Sequence, residues 1–282
     1  MQNLDKRAAE SRLPVPSGGE PILRILQISD LHLFADPKEC LLGQNTRSTL
    51  ELVLDQAKRT YWPVDRLLLT GDLVHDESPY GYRFLEDRLA RLDTPCNGLP
   101  GNHDISSLMS EALNGGIIGT EPSVLCSVWN LVFLDSTIPG EEGGHLNAAQ
   151  LDLLQTCLSA HPQYHALVCL HHQPVPVGSL WLDSMALDNP EEFFAIIDDN
   201  PQVRGIIWGH VHQTFSAERN GVALLSAPST CIQFRPGSAD FKLDSLTPGF
   251  RWLDLHPDGH IATGIDRIAA YPDPMDLFSN GY

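Results

Sequence analysis

Leu99-Pro100-Gly101-Asn102-His103-Asp104 sets an amide, an imidazole and a carboxylate side by side directly after a Pro-Gly turn. Three adjacent polar side chains cannot all be buried without partners, so core packing gives no reason for them. Alone the stretch says little, because Asn, His and Asp all suit turns. Four other segments give it force: Asp30-Leu31-His32, Gly71-Asp72, His171-His172 and Gly209-His210-Val211-His212. Each sets metal-ligand chemistry directly after an apolar run.

Those runs read as short buried strands at 22–29, 65–70, 97–100, 165–170 and 204–208, bounded by turn residues. Helices are expected at about 46–61, at 82–92 and at about 147–160. The first is capped by Asn45 or Thr46 and carries Leu50, Val53, Leu54 and Ala57 at helical spacing. Two short strands between 124 and 135 should meet near Trp129-Asn130, and further strand pieces follow at 222–226, 250–255 and 261–268. This alternation of strand and helix is α/β. Ligand-rich turns at the carboxyl ends of strands are where open α/β sheets place their sites. Alternate residues of extended backbone face the same way, so Asp30 and His32 should converge while Leu31 turns into the core.

A chain of 282 residues can bury a sizeable core. No linker or repeat divides it, so one domain over 21–270 is expected, between a flexible lead-in (1–20) and a tail (271–282). No apolar run approaches the ~18 residues that span a bilayer, and the N-terminus lacks the apolar core of a secretory signal. A cytoplasmic location is therefore expected. Six widely spaced cysteines without a Cys-x-x-Cys pair read as reduced thiols. The net charge of −18, from 36 acidic and 18 basic residues, repels nucleic acid and anionic membranes and looks awkward for an anionic substrate. Bound metal would reverse the sign of that field locally. Nothing in the sequence fixes an oligomeric state.

Each of the five segments has a structural reading as a turn or helix cap, but all five would have to be accidental at once. Asp30, His32, Asp72, Asn102, His171, His210 and His212 offer seven ligands, nitrogen and oxygen without thiolate. Such donors suit iron or manganese, with zinc or cobalt possible, and neither calcium nor a zinc finger. Seven is too many for one ion that keeps an open position. Two ions sharing a carboxylate would have four each, and Asp72, central in the order, is the natural bridge. Two-metal sites clamp the attacking and departing oxygens of phosphoryl transfer.

Asp-x-His, Gly-Asp, Gly-Asn-His-Asp, His-His and Gly-His-x-His, in this order between about Gln27 and His212, resemble the calcineurin-like metallophosphoesterase superfamily. The resemblance implies a four-layer αββα sandwich of two mixed β-sheets flanked by helices. It also implies a first metal on Asp30, His32, Asp72 and His212 and a second on Asp72, Asn102, His171 and His210. His103 would bind no metal and would sit beside the substrate phosphate. The phosphate would also meet His32, Asp72, Asn102 and His212. Leu41-Leu42-Gly43-Gln44-Asn45-Thr46, Ser179-Leu180-Trp181-Leu182-Asp183, the segment from Pro228 to Phe234, Pro248-Gly249-Phe250-Arg251-Trp252 and Gly281-Tyr282 are similar to the bacterial class III 3′,5′-cyclic AMP phosphodiesterases.

The expected enzyme is thus a dinuclear-metal phosphodiesterase that hydrolyses 3′,5′-cyclic AMP to 5′-AMP. A metal-bridging hydroxide is the expected nucleophile, Asn102 stabilises charge on the phosphate, and His103 is the general acid for the 3′ oxygen. Two alternatives stay open: another phosphodiester, such as a glycerophosphodiester or a 2′,3′-cyclic nucleotide, or a non-catalytic scaffold of the same fold. Asp104 either orients His103 or caps a helix. His172 is expected beside the site but not as a ligand, because a strand end aims only one of the pair inward. Trp181 and Phe234 have flat apolar faces that suit a base, but core packing is the expected role of each. His75, His145, His161, His165, His256 and His260 have no motif support and are expected to be solvated or structural.

Overall fold

A computed structural model of the chain describes residues 21–275 and Gly281. The expected lead-in at 1–20 and most of the expected tail lie outside those residues. In chain order the elements are β1 (Leu23–Ile28), α1 (Thr46–Thr60), β2 (Arg66–Thr70), α2 (Pro79–Leu89), β3 (Cys96–Leu99), α3 (Ser106–Ala112), β4 (Ile118–Gly119), β5 (Ser123–Cys126), β6 (Trp129–Phe133) and α4 (Ala148–Ala160). There follow β7 (His165–Cys169), α5 (Leu180–Asp183), α6 (Pro190–Asp198), β8 (Val203–Trp208), β9 (Phe215–Arg219), β10 (Val222–Ser226), β11 (Gln233–Phe234), β12 (Leu243–Asp244), β13 (Gly249–Leu255) and β14 (Ile261–Arg267).

Two six-stranded mixed sheets carry the fold, in the orders β14-β13-β1-β2-β3-β4 and β5-β6-β7-β8-β10-β9. β1, β2, β3 and β4 run parallel, as do β6, β7, β8 and β10, and the antiparallel pairings lie towards the margins of both sheets. The central strands read as nearly unbroken apolar runs because both their faces are covered. Ile25, Leu68, Leu253, Trp129, Leu167, Cys169 and Ile207 fill the space between the sheets. Outside the first sheet, Leu50, Val53, Leu54 and Ala57 of α1 and Tyr82, Leu85 and Leu89 of α2 pack on Leu67 and Leu69. Outside the second, Leu154 and Leu158 of α4 and Phe193 and Ile197 of α6 pack on Val168 and Ile206. The result is the four-layer αββα sandwich.

Local signals behave as their chemistry requires. Asn45, not Thr46, caps α1: its side chain accepts from the backbone N–H of Ser48, leaving Thr46 as the first helical residue. The hairpin between β5 and β6 turns at Ser127-Val128 rather than at the expected Trp129-Asn130. Ser127 takes φ +51°, the left-handed conformation of a tight hairpin, and Trp129 and Asn130 are paired in the ladder.

The five ligand-bearing turns follow β1, β2, β3, β7 and β8. Three therefore come from one sheet and two from the other, and all leave the carboxyl ends of parallel strands on the same side. That common edge, where the two sheets face each other, is what lets residues from 30 to 212 meet.

Candidate metal centre

The backbone after β1 and β2 continues as a ladder after the strands themselves have ended. Asp30 N–H donates to Gly71 O at 3.0 Å, His32 N–H to Asp72 O at 2.9 Å, Leu33 N–H to Leu73 O at 3.0 Å, and His75 N–H to Leu33 O at 2.9 Å. The expected pleat is absent here. Asp30 has φ +54°, His32 +46° and Asp72 +52°, and across the cleft His210 and His212 have +64° and +45°. All are left-handed, a conformation of non-glycine residues that costs about 1–3 kcal/mol each and clusters at functional sites. Asp30 and His32 do converge, but with left-handed backbone at both positions in place of the expected extended pleat.

Two glycines make room for this crowding. A Cβ on Gly71, which has φ +94°, would lie 2.2 Å from His171 Nδ1, and one on Gly101 would lie 2.2 Å from Asp72 Oδ1.

The seven expected ligands meet. Asp30, His32, Asp72 and His212 are buried, with ligand atoms all within 4.8 Å of one another. His32 Nε2 lies 3.2 Å from His212 Nε2 and 3.7 Å from Asp72 Oδ2. His212 Nε2 lies 3.5 Å from Asp30 Oδ1. On the other side of Asp72, His171 Nε2 lies 3.3 Å from its Oδ2. Asn102 Oδ1 is 3.1 Å from His171 Nε2 and 3.0 Å from His210 Nδ1. Asp72 thus stands between two groups of donors.

Tautomers decide what these distances mean. His171 Nδ1 faces the Thr70 carbonyl at 2.7 Å and His212 Nδ1 faces the Ile232 carbonyl at 3.0 Å. A carbonyl only accepts, so each Nδ1 carries its proton, and in the neutral ring each Nε2 presents a lone pair. Those lone pairs point at carboxylate or amide oxygens, or at another imidazole. Such an array repels itself unless a proton or a cation lies among the atoms. Asp30 Oδ2, fully buried, has no hydrogen-bond partner among the described residues. The residues fit a pair of cations bound through nitrogen and oxygen.

Electrostatics follow the same logic. Burial pushes the His171 imidazole down, but Asp72 and Asp30 more than reverse this and lift it to about 9. Burial pushes the Asp72 carboxyl up, and the imidazoles around it, His171 foremost, hold it well below the usual carboxylate range. Asp30, with burial and Asp72 outweighing the pull of His171, is raised to about 7. Burial keeps His212 neutral, down to about 3.

His103 and Asn102 are half-buried at the rim. The backbone N–H of His103 donates to Asp72 Oδ1 at 2.9 Å, while its ring stacks on His75 at 4.8 Å between centroids and meets His32 edge-on. A cleft of about 190 Å³ opens beside them, lined by Asp72, Asn102, His103 and His210 on one side and by Trp181 and Phe241 on the other. Phe234 also reaches the cleft but is buried, stacked on His212 at 4.2 Å and 13°.

Three expectations are revised or resolved here. His75, expected to be solvated or structural, is half-buried beside the site: its Nδ1 is 3.1 Å from His32 Nδ1, and it forms a cluster with His32 and His103. The sequence signal available was its place three residues after Asp72. His172 lies within reach of His171 and His210, but its Nδ1 meets Ser136 Oγ at 2.8 Å and its Nε2 the Glu142 carbonyl at 3.2 Å, so both nitrogens are engaged. Asp104 neither orients the His103 ring nor caps α3, whose N-cap is Ile105. Its Oδ2 accepts from the N–H groups of Gly101 and Leu73, and its Oδ1 from Val74 N–H and Tyr82 Oη, at 2.7 to 3.1 Å.

Asp104 thereby laces the Asn102-His103 turn to the loop that carries Asp72. Asp104→Ala strands three buried N–H groups and a hydroxyl, each orphan costing ~1–3 kcal/mol, so a loss of about 4 kcal/mol or more is expected. Urea unfolding of the variant against the parent checks it; a loss below about 1 kcal/mol would mean water replaces the carboxylate.

Comparison with known proteins agrees with this geometry. Residues 23–214 match the calcineurin-like phosphoesterase family. The chain is 42% identical to the 3′,5′-cyclic adenosine monophosphate phosphodiesterase CpdA of Pseudomonas aeruginosa, over 92% of this chain and 94% of that one. It is 39% identical to the protein of the same name in Escherichia coli K12, over 97% and 100%. Among solved structures, a dimetal phosphatase from Danio rerio superimposes with a TM-score of 0.64 at 14% identity, covering 92% of this chain and all of that one. A purple acid phosphatase from yellow lupin gives 0.61 at 11% identity, over 92% of this chain and 53% of that one. Fold, motif order and relatives agree: the chain belongs to the calcineurin-like phosphoesterase family.

Proposed function

We propose that the chain hydrolyses 3′,5′-cyclic AMP to 5′-AMP at a two-metal centre. Asp30, His32, Asp72 and His212 would hold one ion, and Asp72, Asn102, His171 and His210 the other. The observation that carries this reading is the convergence of imidazole lone pairs on buried carboxylates, which only positive charge can stabilise. Iron and manganese are the ions proposed first, with zinc or cobalt admitted by the same donor set, which has no thiolate and mixes imidazole with carboxylate. Ions so held would draw charge from the phosphate oxygens and bring the pKa of water towards 7. The choice of cyclic AMP rests on the likeness to the two bacterial phosphodiesterases.

The chain's own part is to orient and to move a proton. Asn102, anchored between the two sheets, presents its amide to the phosphate, where charge gathers in the transition state. His103 faces the cleft and protonates the departing 3′ oxygen. Trp181, half-buried beside the cleft, offers a face to the base, whereas Phe234 is occupied as backing for His212. A cytoplasmic location belongs to the same reading. It is supported by the absence, among the described residues, of a helix long and apolar enough to cross a membrane, and by six free cysteines.

The deciding experiment strips the protein with chelator, restores manganese or iron, and assays cyclic AMP, cyclic GMP, 2′,3′-cyclic AMP and glycerophosphocholine. Activity should vanish and return with metal, with cyclic AMP turned over best and 5′-AMP as product. Faster turnover of another diester would reassign the substrate, and metal uptake without any turnover would favour the scaffold. Trp181→Ala should raise KM for cyclic AMP roughly tenfold with kcat little changed, since base stacking is worth ~1–3 kcal/mol. An unchanged KM would remove Trp181 from base recognition. Phe234→Ala should differ, lowering metal content because it unseats His212.

A further inference from the structure

Imidazoles that hold metal through one nitrogen almost always donate from the other to a fixed acceptor, which sets the tautomer and the ring orientation. His171 has the Thr70 carbonyl and His212 the Ile232 carbonyl for this purpose. At His32 the Nδ1 faces His75 Nδ1 at 3.1 Å, while the Nε2 points at Asp72 and His212. One of two facing nitrogens must donate. If His32 donates, its Nε2 keeps a lone pair aimed into the metal centre; if His75 donates, the proton of the neutral His32 ring sits on Nε2 and blocks it.

We propose that His75 is a positioning residue, which accepts the Nδ1–H of His32 and so presents His32 Nε2 to the metal. This rests on the two-metal reading given above. Three features of the fold hold His75 in place for it. Its N–H donates to Leu33 O at 2.9 Å, one residue beyond His32, which locks the two loops in register. Its ring packs against Phe34 at 4.8 Å on one side and stacks on His103 at 4.8 Å and 24° on another. It also meets His32 edge-on at 5.2 Å, the geometry expected when ring nitrogens and not ring faces are in contact. Because the same ring touches both His32 and His103, its two contacts can be separated by substitution.

His75→Phe keeps a flat ring against His103 and Phe34 but offers no acceptor. His75→Asn gives up the ring and places an amide oxygen near the position of Nδ1. Metal-free protein of each kind, titrated with manganese and followed by electron paramagnetic resonance, reads binding apart from turnover. Manganese affinity should fall 10–100-fold in His75→Phe, the loss typical when an outer partner of a metal-ligating histidine is removed. In His75→Asn it should stay within about threefold of the parent, with kcat and not affinity carrying the damage from the lost stack. Affinity as tight in the Phe variant as in the parent would overturn the proposal. So would equal weakening of both variants, which is what simple loss of packing predicts. Failure of the parent itself to bind manganese would instead overturn the metal centre.

Discussion

Asp72→Ala is expected to fold, to bind neither ion, and to lose activity by far more than the ~10–100-fold that follows removal of a mere outer partner. The expectation comes from where Asp72 stands. Its Oδ2 is 3.7 Å from His32 Nε2 on one side and 3.3 Å from His171 Nε2 on the other. Without it, the nitrogen and oxygen donors divide into a group of three around Asp30 and a group of three around Asn102, with nothing between to neutralise two adjacent cations. Asp30→Ala should behave differently. Asp30 stands to one side of the pair, its Oδ1 3.5 Å from His212 Nε2 and 2.9 Å from the backbone nitrogen of His210, so its loss should empty one position and spare the other. Elemental analysis of both purified variants, beside manganese titration, distinguishes them. Full metal content in Asp72→Ala would mean that the carboxylate is not shared.

Much of this arrangement was legible because it is punctuated in the sequence. Each of β1, β2, β3, β7 and β8 is an apolar run cut off by a polar ligand, and buried parallel strands have to look like that. The candidate ligands were read from those five endings. What the sequence could not carry was backbone conformation: Asp30 and His32 converge with left-handed backbone, which aspartate and histidine adopt more often than other side chains but too rarely for the sequence to place it at given positions. His75 was hidden for a related reason. It belongs to the site through the Leu33–His75 hydrogen bond between two loops, a tertiary contact that its place three residues after Asp72 does not by itself reveal. The role of Asp104 likewise depends on donors from Gly101, Leu73, Val74 and Tyr82, which are scattered over the chain. Helix α6, absent from the expected elements, is another matter. Pro190 in its first turn, with Glu191 and Glu192 behind it, is a start signal readable from sequence alone.

His103→Ala is the second large effect, and it should be of the opposite kind to Asp72→Ala. Only the backbone of His103 touches the carboxylate, through its N–H on Asp72 Oδ1 at 2.9 Å, and that contact survives truncation of the ring. Metal content should therefore match the parent while turnover of cyclic AMP falls ~10²–10⁴-fold, the usual worth of a positioned proton donor. The role of the ring is read from the leaving group. A ribose 3′ oxygen departs as a strong base and needs the proton, whereas a p-nitrophenolate does not. Turnover of bis(p-nitrophenyl) phosphate should fall far less in the same variant. Equal losses on both substrates would mean that His103 binds the phosphate or shapes the cleft and does not supply the proton. His103→Gln sharpens the distinction, because an amide can still donate a hydrogen bond to the phosphate but cannot surrender a proton. If protonation is the task, His103→Gln should be as slow as His103→Ala on cyclic AMP and close to the parent on the activated diester.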